Sequence, residues 1–159
     1  MNPNPLVSDV NKIRIMTVSS AEQTRRIEQA IARRAYEIFE GRGGMGWHEL
    51  EDWRQAESEV RCNFCFGLTR SHDAFLIGCD IARFEENSVE IWVAPNQMTI
   101  CGKPLQHDKR ANPKNHPYRG LVFRVMALPV AVEPGRVVAK LRRNFLEVRL
   151  PIAGYTLAA

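Results

Sequence analysis

The chain has 159 residues, of which 45% are hydrophobic, 25% charged and 8% aromatic, so it is long enough for one sizeable core or two small ones and too apolar for disorder. No apolar run approaches the ~20 residues that span a bilayer, and the opening stretch MNPNPLVSDVNK lacks the apolar core and cleavage site of a secretory signal, so no membrane partner and a cytoplasmic location are expected. The net charge of +4 arises entirely in the second half: residues 1–70 carry ten Lys/Arg and ten Asp/Glu, residues 71–159 twelve and eight. Those basic residues are scattered and not interleaved with aromatics, which argues against a nucleic-acid partner.

Residues 1–18 read as a flexible N-terminus, followed by a helical hairpin over 19–62. Ser19-Ser20-Ala21-Glu22-Gln23 offers two overlapping capping boxes, predicting a helix start there. Ile27, Ile31, Ala35 and Ile38 then recur at steps of three and four, with Arg25, Arg26, Arg33, Arg34, Glu37 and Glu40 on the other side. Gly41-Arg42-Gly43-Gly44 stops that helix, because glycine accepts the left-handed conformation that ends helices. A second helix is expected from His48 to Arg61, with Glu49, Glu51 and Asp52 in its first turn and Leu50, Trp53, Ala56 and Val60 on one face. Tyr36 and Trp53 read as core residues, and Glu51 and Asp52 as helix-start charges.

After Leu68 the hydrophobic period changes to two. Phe75, Ile77, Cys79 and Ile81 alternate; so do Val89, Ile91 and Val93; Met98 and Ile100; Val122, Arg124 and Met126; Val137, Ala139 and Leu141; and Leu146, Val148 and Leu150. Asn63 to Leu68 offers one more strand. Turn signals at 85–87, 94–96, 133–135 and 143–144 separate them, and short antiparallel strands at this spacing make a β-sandwich or barrel. The stretch from Lys103 to about Arg119 is polar, holds Pro104, Pro113 and Pro117, and reads as a long loop.

Cys62-Asn-Phe-Cys65 has redox or zinc-knuckle spacing, but no second pair completes a four-ligand site, so the cysteines are read as small apolar residues and no metal is assigned. Cys79 and Cys101 fall in strands and read as core. Gly41-Arg42-Gly43-Gly44 lacks the preceding strand and the Lys-Ser/Thr of a phosphate cradle, and no nucleophile elbow is present. Neither an enzyme nor a cofactor is expected.

Two resemblances attach to these residues. Ile31-Ala32-Arg33-Arg34-Ala35-Tyr36-Glu37, the glycine turn and His48-Glu49-Leu50-Glu51-Asp52-Trp53 through Ala56-Glu57 resemble a small bacterial domain family of unknown function. From Phe75 to Pro151, the chain resembles the α-crystallin domain of small heat shock proteins: Leu128-Pro129, Val132, Val137, Ala139, Leu141, Leu146, Val148, Leu150 and Pro151 stand at that family's positions. So do Asp80-Ile81, Phe84, Val89, Ile91, Val93, Met98, Ile100 and Gly102 upstream. The resemblance implies a mainly β chain, an immunoglobulin-like antiparallel β-sandwich over 63–152 preceded by the hairpin, with a short tail at 153–159.

It further implies an ATP-independent chaperone, or holdase, that binds unfolded or partly folded clients. The client groove would lie between the strand of Val89, Ile91 and Val93 and that of Val137, Ala139 and Leu141. Arg124 and Tyr118 would serve a homodimer contact, and the 103–120 loop would exchange between partners. The family's C-terminal Ile-X-Ile/Val anchor has no counterpart in residues 153–159, which weighs against large assemblies. Asn144 stands where the family has a turn glycine and is expected to take the left-handed conformation. The other reading is a non-chaperone adaptor, in which the same fold binds one specific partner through the hairpin or a sheet edge.

Overall fold

The computed structural model describes residues 13–61, 66–105 and 118–154. Ser19 opens the first helix, α1 (Ser20–Gly41), with its Oγ accepting the Glu22 N–H at 3.2 Å, the bond the capping box requires. Gly43 and Gly44, with φ of 78° and 69°, end the run. The second helix, α2 (Glu49–Val60), starts after His48 with three acids in its first turn. The turn between them is tied by Arg42, whose guanidinium grips the Asp52 carboxylate through both nitrogens, Nη2 to Oδ2 at 2.7 Å.

The strands follow the period of two. They are β1 (Arg14–Thr17), β2 (Phe66–Arg70), β3 (Ala74–Asp80), β4 (Glu90–Ala94), β5 (Gln97–Gly102), β6 (Val122–Ala127), β7 (Val138–Arg142) and β8 (Phe145–Pro151). They make two four-stranded sheets, ordered β1-β4-β5-β6 and β2-β3-β8-β7. All pairings are antiparallel except β1 with β4, which run parallel. The chain is therefore mainly β, an immunoglobulin-like sandwich of two four-stranded sheets with two N-terminal helices. Its inter-sheet core holds Phe75, Ile77, Ile91, Met98, Ile100, Leu146 and Leu150.

The hairpin packs on this sandwich. Ile27, Ile31, Ala56 and Val60 close a second core against Trp92, Cys101 and Phe123, on the outer face of the β1-β4-β5-β6 sheet. That sheet is buried on both faces, which explains why β4 reads Ile-Trp-Val-Ala without a polar break. Gln23 joins the layers: fully buried, it donates from Nε2 to the Val18 carbonyl at 2.8 Å and accepts at Oε1 from Thr99 Oγ1 at 2.7 Å and Gln97 Nε2 at 3.1 Å.

Several expectations need correcting. Residues 14–17, placed in a flexible arm, form β1, because Ile15 and Met16 each find an apolar partner beside β4. Arg34, assigned to the solvated face, is buried and ion-paired with Glu59 of α2 and Glu37. Tyr36, 60% exposed, and Trp53, 37% exposed, lie outside both cores, because α2 crosses α1 through Ala56 and Val60 instead. At the β7–β8 turn the left-handed residue is Arg143, φ 56°, and not Asn144. Residues 1–12, Cys62, Cys65, the loop over 106–117 and the tail from 155 lie outside the described residues.

Candidate functional site

The pattern of alternation sends Val89, Ile91 and Val93 inward from β4 and the residue before it. All three are buried, at most 2% exposed, in the inter-sheet core. Val137, Ala139 and Leu141 also point inward, from the edge strand β7, and are only partly buried. The two triplets thus face the same interior from the two sheets, on the flank where β7 ends one sheet and β4 would end the other. β1 stands between β4 and solvent. The flank retains a crevice of about 60 Å³, lined by Ile13, Ile81, Phe84, Val89 and Leu141 with the β7–β8 turn.

Val89 and Leu141, one from each triplet, share that crevice, and β4 has an occupant that the sequence reading lacked. Arg14 N donates to Val89 O at 3.4 Å and Val18 N to Val93 O at 3.0 Å, bracketing a register of Arg14 with Glu90, Ile15 with Ile91, Met16 with Trp92 and Thr17 with Val93. Ile13 packs on the inter-sheet core, Ile15 beside Ile91 stays 36% exposed, and Met16 and Val18 join the helix-side core. The alternation Ile13, Ile15, Thr17 against Met16, Val18 was the available signal. Ile13-Arg14-Ile15 also has the Ile-X-Ile spacing that residues 153–159 lack.

Arg124 and Tyr118 are placed apart from that flank. Arg124 lies on the inward face of β6 with its guanidinium 4.9 Å from the ring centre of Phe66 on β2, where the sandwich opens at its other side. Tyr118 turns toward α1: its hydroxyl donates to the Leu121 carbonyl at 2.5 Å, and the Arg34 guanidinium sits 5.6 Å from its ring centre. Burial, with Glu37 nearby, pushes its phenol up to about 12. Between Tyr118 and α1 is a cavity of about 910 Å³, whose walls include Arg26, Arg33, Trp92 and Phe123.

A second surface lies on the hairpin, away from the sandwich. Tyr36, Phe39, Trp47 and Trp53 line a cleft of about 540 Å³ together with Glu49 and the buried Asp52, and Trp47 is 93% exposed. Among the described residues no group of three or more His, Cys, Asp or Glu is arranged to hold a metal ion. Cys79 and Cys101 are free and buried, and burial pushes their thiols up to about 11 and about 12. No described helix is long and apolar enough to cross a membrane.

Residues 26–61 match a family described as a protein of unknown function (DUF2934). Among solved structures, heat shock protein 16.0 from Schizosaccharomyces pombe is similar at 15% identity and a TM-score of 0.48, over 62% of this chain and 94% of that one. The hspA protein of Xanthomonas axonopodis is similar at 17% identity and a TM-score of 0.47, over 58% and 96%. A small heat-shock protein from Xylella fastidiosa is similar at 14% identity and a TM-score of 0.47, over 62% and 94%. No curated protein sequence matches this chain.

Proposed function

We propose that this protein is an ATP-independent, non-enzymatic holdase that captures extended apolar segments of unfolding proteins along the β4–β7 flank of its sandwich. The observation that carries the reading is that this flank already takes an extended, isoleucine-bearing strand in backbone register with β4. The strand-by-strand sequence resemblance to small heat shock proteins supports it. Burying a few hundred Å² of apolar surface at ~25 cal/mol per Å² offsets several kcal/mol of client ordering, which suits reversible and promiscuous capture. The groove residues in this proposal are Val89, Ile91, Val93, Val137, Ala139 and Leu141. A homodimer in the cytoplasm is part of the same proposal; unchanged mass by light scattering after deleting residues 105–118 would remove loop exchange as its basis.

The test is light scattering from citrate synthase at elevated temperature, or insulin under reduction. Near-stoichiometric protein suppresses scattering if the reading is right, and equal precipitation with and without it ends the holdase proposal. The exposed aromatic cleft of Tyr36, Trp47 and Trp53 favours a second reading, an adaptor that docks one specific partner on the hairpin. That reading expects no suppression, and a partner whose binding is lost in Trp47→Ala.

A further inference from the structure

The cavity of about 910 Å³ under α1 has no part in the capture flank, and its charge is out of balance. Arg26, Ala30, Arg33 and Glu37 line it from α1 at steps of four, three and four, so they share one face of the helix, the two arginines about 10 Å apart along its axis. The other walls are Arg119 and Leu121, on the approach to β6, and the rings of Tyr118, Trp92 and Phe123. Counting buried Arg34, four guanidinium groups border the cavity against the one carboxylate of Glu37.

That carboxylate is already taken. Arg34 holds it at 3.2 Å and pairs with Glu59 as well, so Arg34 is neutralised within the protein. Arg26 shares Glu22 with Arg25 and uses only its Nε to do so. Arg33 and Arg119 form no ion pair among the described residues. The Tyr118 phenol, pushed up to about 12 by burial, stays neutral at physiological pH and adds no negative charge. The cavity therefore carries a cationic surplus, spread over the helix wall and the sheet wall.

The walls are held in place by specific contacts. Tyr118 folds back on its own chain through the bond from its hydroxyl to the Leu121 carbonyl, and a Cβ at Gly120 would come within 2.5 Å of that hydroxyl. Glycine at 120 thus permits the turn that brings Arg119 to the cavity and sets the Tyr118 ring against the Arg34 guanidinium. Arg26 is seated over Trp92, 5.1 Å from the ring centre. Aromatic faces and guanidinium planes both stack on flat π systems. The volume is that of a small-molecule site.

We propose that this cavity binds a small organic phosphate, a phosphate monoester carried on a flat aromatic body. Arg33 from the helix and Arg119 from the sheet side take the phosphate, whose three free oxygens serve two guanidinium forks, whereas the two oxygens of a carboxylate are filled by one. The aromatic body lies among Tyr118, Leu121 and the stacked pair of Arg26 and Trp92. Both the hairpin and the sandwich contribute walls, so the ligand ties one to the other and neither forms the site alone.

Isothermal titration calorimetry of the full chain with naphthyl phosphate tests this, with inorganic phosphate, naphthol and hexyl phosphate as comparison ligands. Naphthyl phosphate should bind roughly tenfold or more tightly than any of the three, and Arg33→Gln/Arg119→Gln should weaken it roughly tenfold or more. Lys140→Gln/Arg142→Gln removes the same charge from exposed positions of β7 and should leave the affinity unchanged. Equal affinity in the two double variants overturns the proposal, as does hexyl or inorganic phosphate binding as tightly as naphthyl phosphate. A second measurement leaves the arginines in place. In a Trp47→Phe/Trp53→Phe chain Trp92 is the sole indole, and its Nε1–H resonance should shift on titration with naphthyl phosphate. A resonance unmoved at saturating ligand puts the binding elsewhere and overturns the site.

Discussion

Gln23 entered the sequence reading only as part of a capping box, yet it is the polar residue on which the helix layer and the sandwich converge. Replacing it with alanine removes three side-chain hydrogen bonds at a dry site and leaves buried Thr99 Oγ1 without its acceptor. A buried group left unsatisfied costs about 1–3 kcal/mol, so Gln23→Ala should lower stability by about 2–4 kcal/mol, read as a fall in urea midpoint at constant m-value. No periodicity marks such a residue: its partners lie 74 and 76 positions away and are polar themselves. Cys101 makes a prediction with a sign. Burial and nearby Glu90 raise its thiol from about 9 to about 12, so from pH 9 upward the unfolded chain loses a proton that the folded chain keeps. Stability present at pH 8 is then lost as pH rises, by about 1 kcal/mol at pH 10. Urea titrations at the two pH values should show this extra loss in the wild type and not in Cys101→Ala.

The elements differ in how much of them the residues betray. Six of the eight strands follow from strict alternation, and α1 begins at the serine its capping pattern names, because those signals are local and the burial they answer to is one-sided. β1 escaped because its four residues follow a Pro- and Asn-rich start and their apolar partners are on β4, far along the chain. Arg34 escaped for a similar reason: its neutralising Glu59 sits 25 residues on, so a helical wheel of α1 alone shows only a charge. Alternation put Val89, Ile91 and Val93 on one face of their strand and Val137, Ala139 and Leu141 on one face of theirs without telling which face is inward, and the strand lying across β4 was not legible at all. The β7–β8 turn misled through its analogy of position, since the two-residue connection puts the positive φ one residue earlier than the family glycine. A non-glycine residue in that conformation is strained by about 1 kcal/mol, so Arg143→Gly should raise the thermal midpoint, by about 0.5–1 kcal/mol in stability. No gain would mean that the turn is relaxed in another conformation.

At the scale of the whole molecule, the two compositional halves do not correspond to two independent bodies. Trp92 is 4% exposed, clamped between Phe123 and the Arg26 guanidinium of α1, and so reports the junction of hairpin and sandwich. The helical circular dichroism at 222 nm and the Trp92 fluorescence, isolated in a Trp47→Phe/Trp53→Phe background, should therefore give one common unfolding midpoint. Helical signal lost at lower denaturant would make the hairpin a separate unit. The same junction has a consequence for how the protein is born. The residue that seats α1, Thr99, lies 76 positions downstream of Gln23. At elongation rates of about 5–20 residues per second, the ribosome needs about 4–15 s to reach it after adding Gln23. During that interval Ile27 and Ile31 have no platform, and the nascent helix must be shielded or remain unformed. On its own ribosome, this protein begins as a substrate for the kind of protection it is proposed to give.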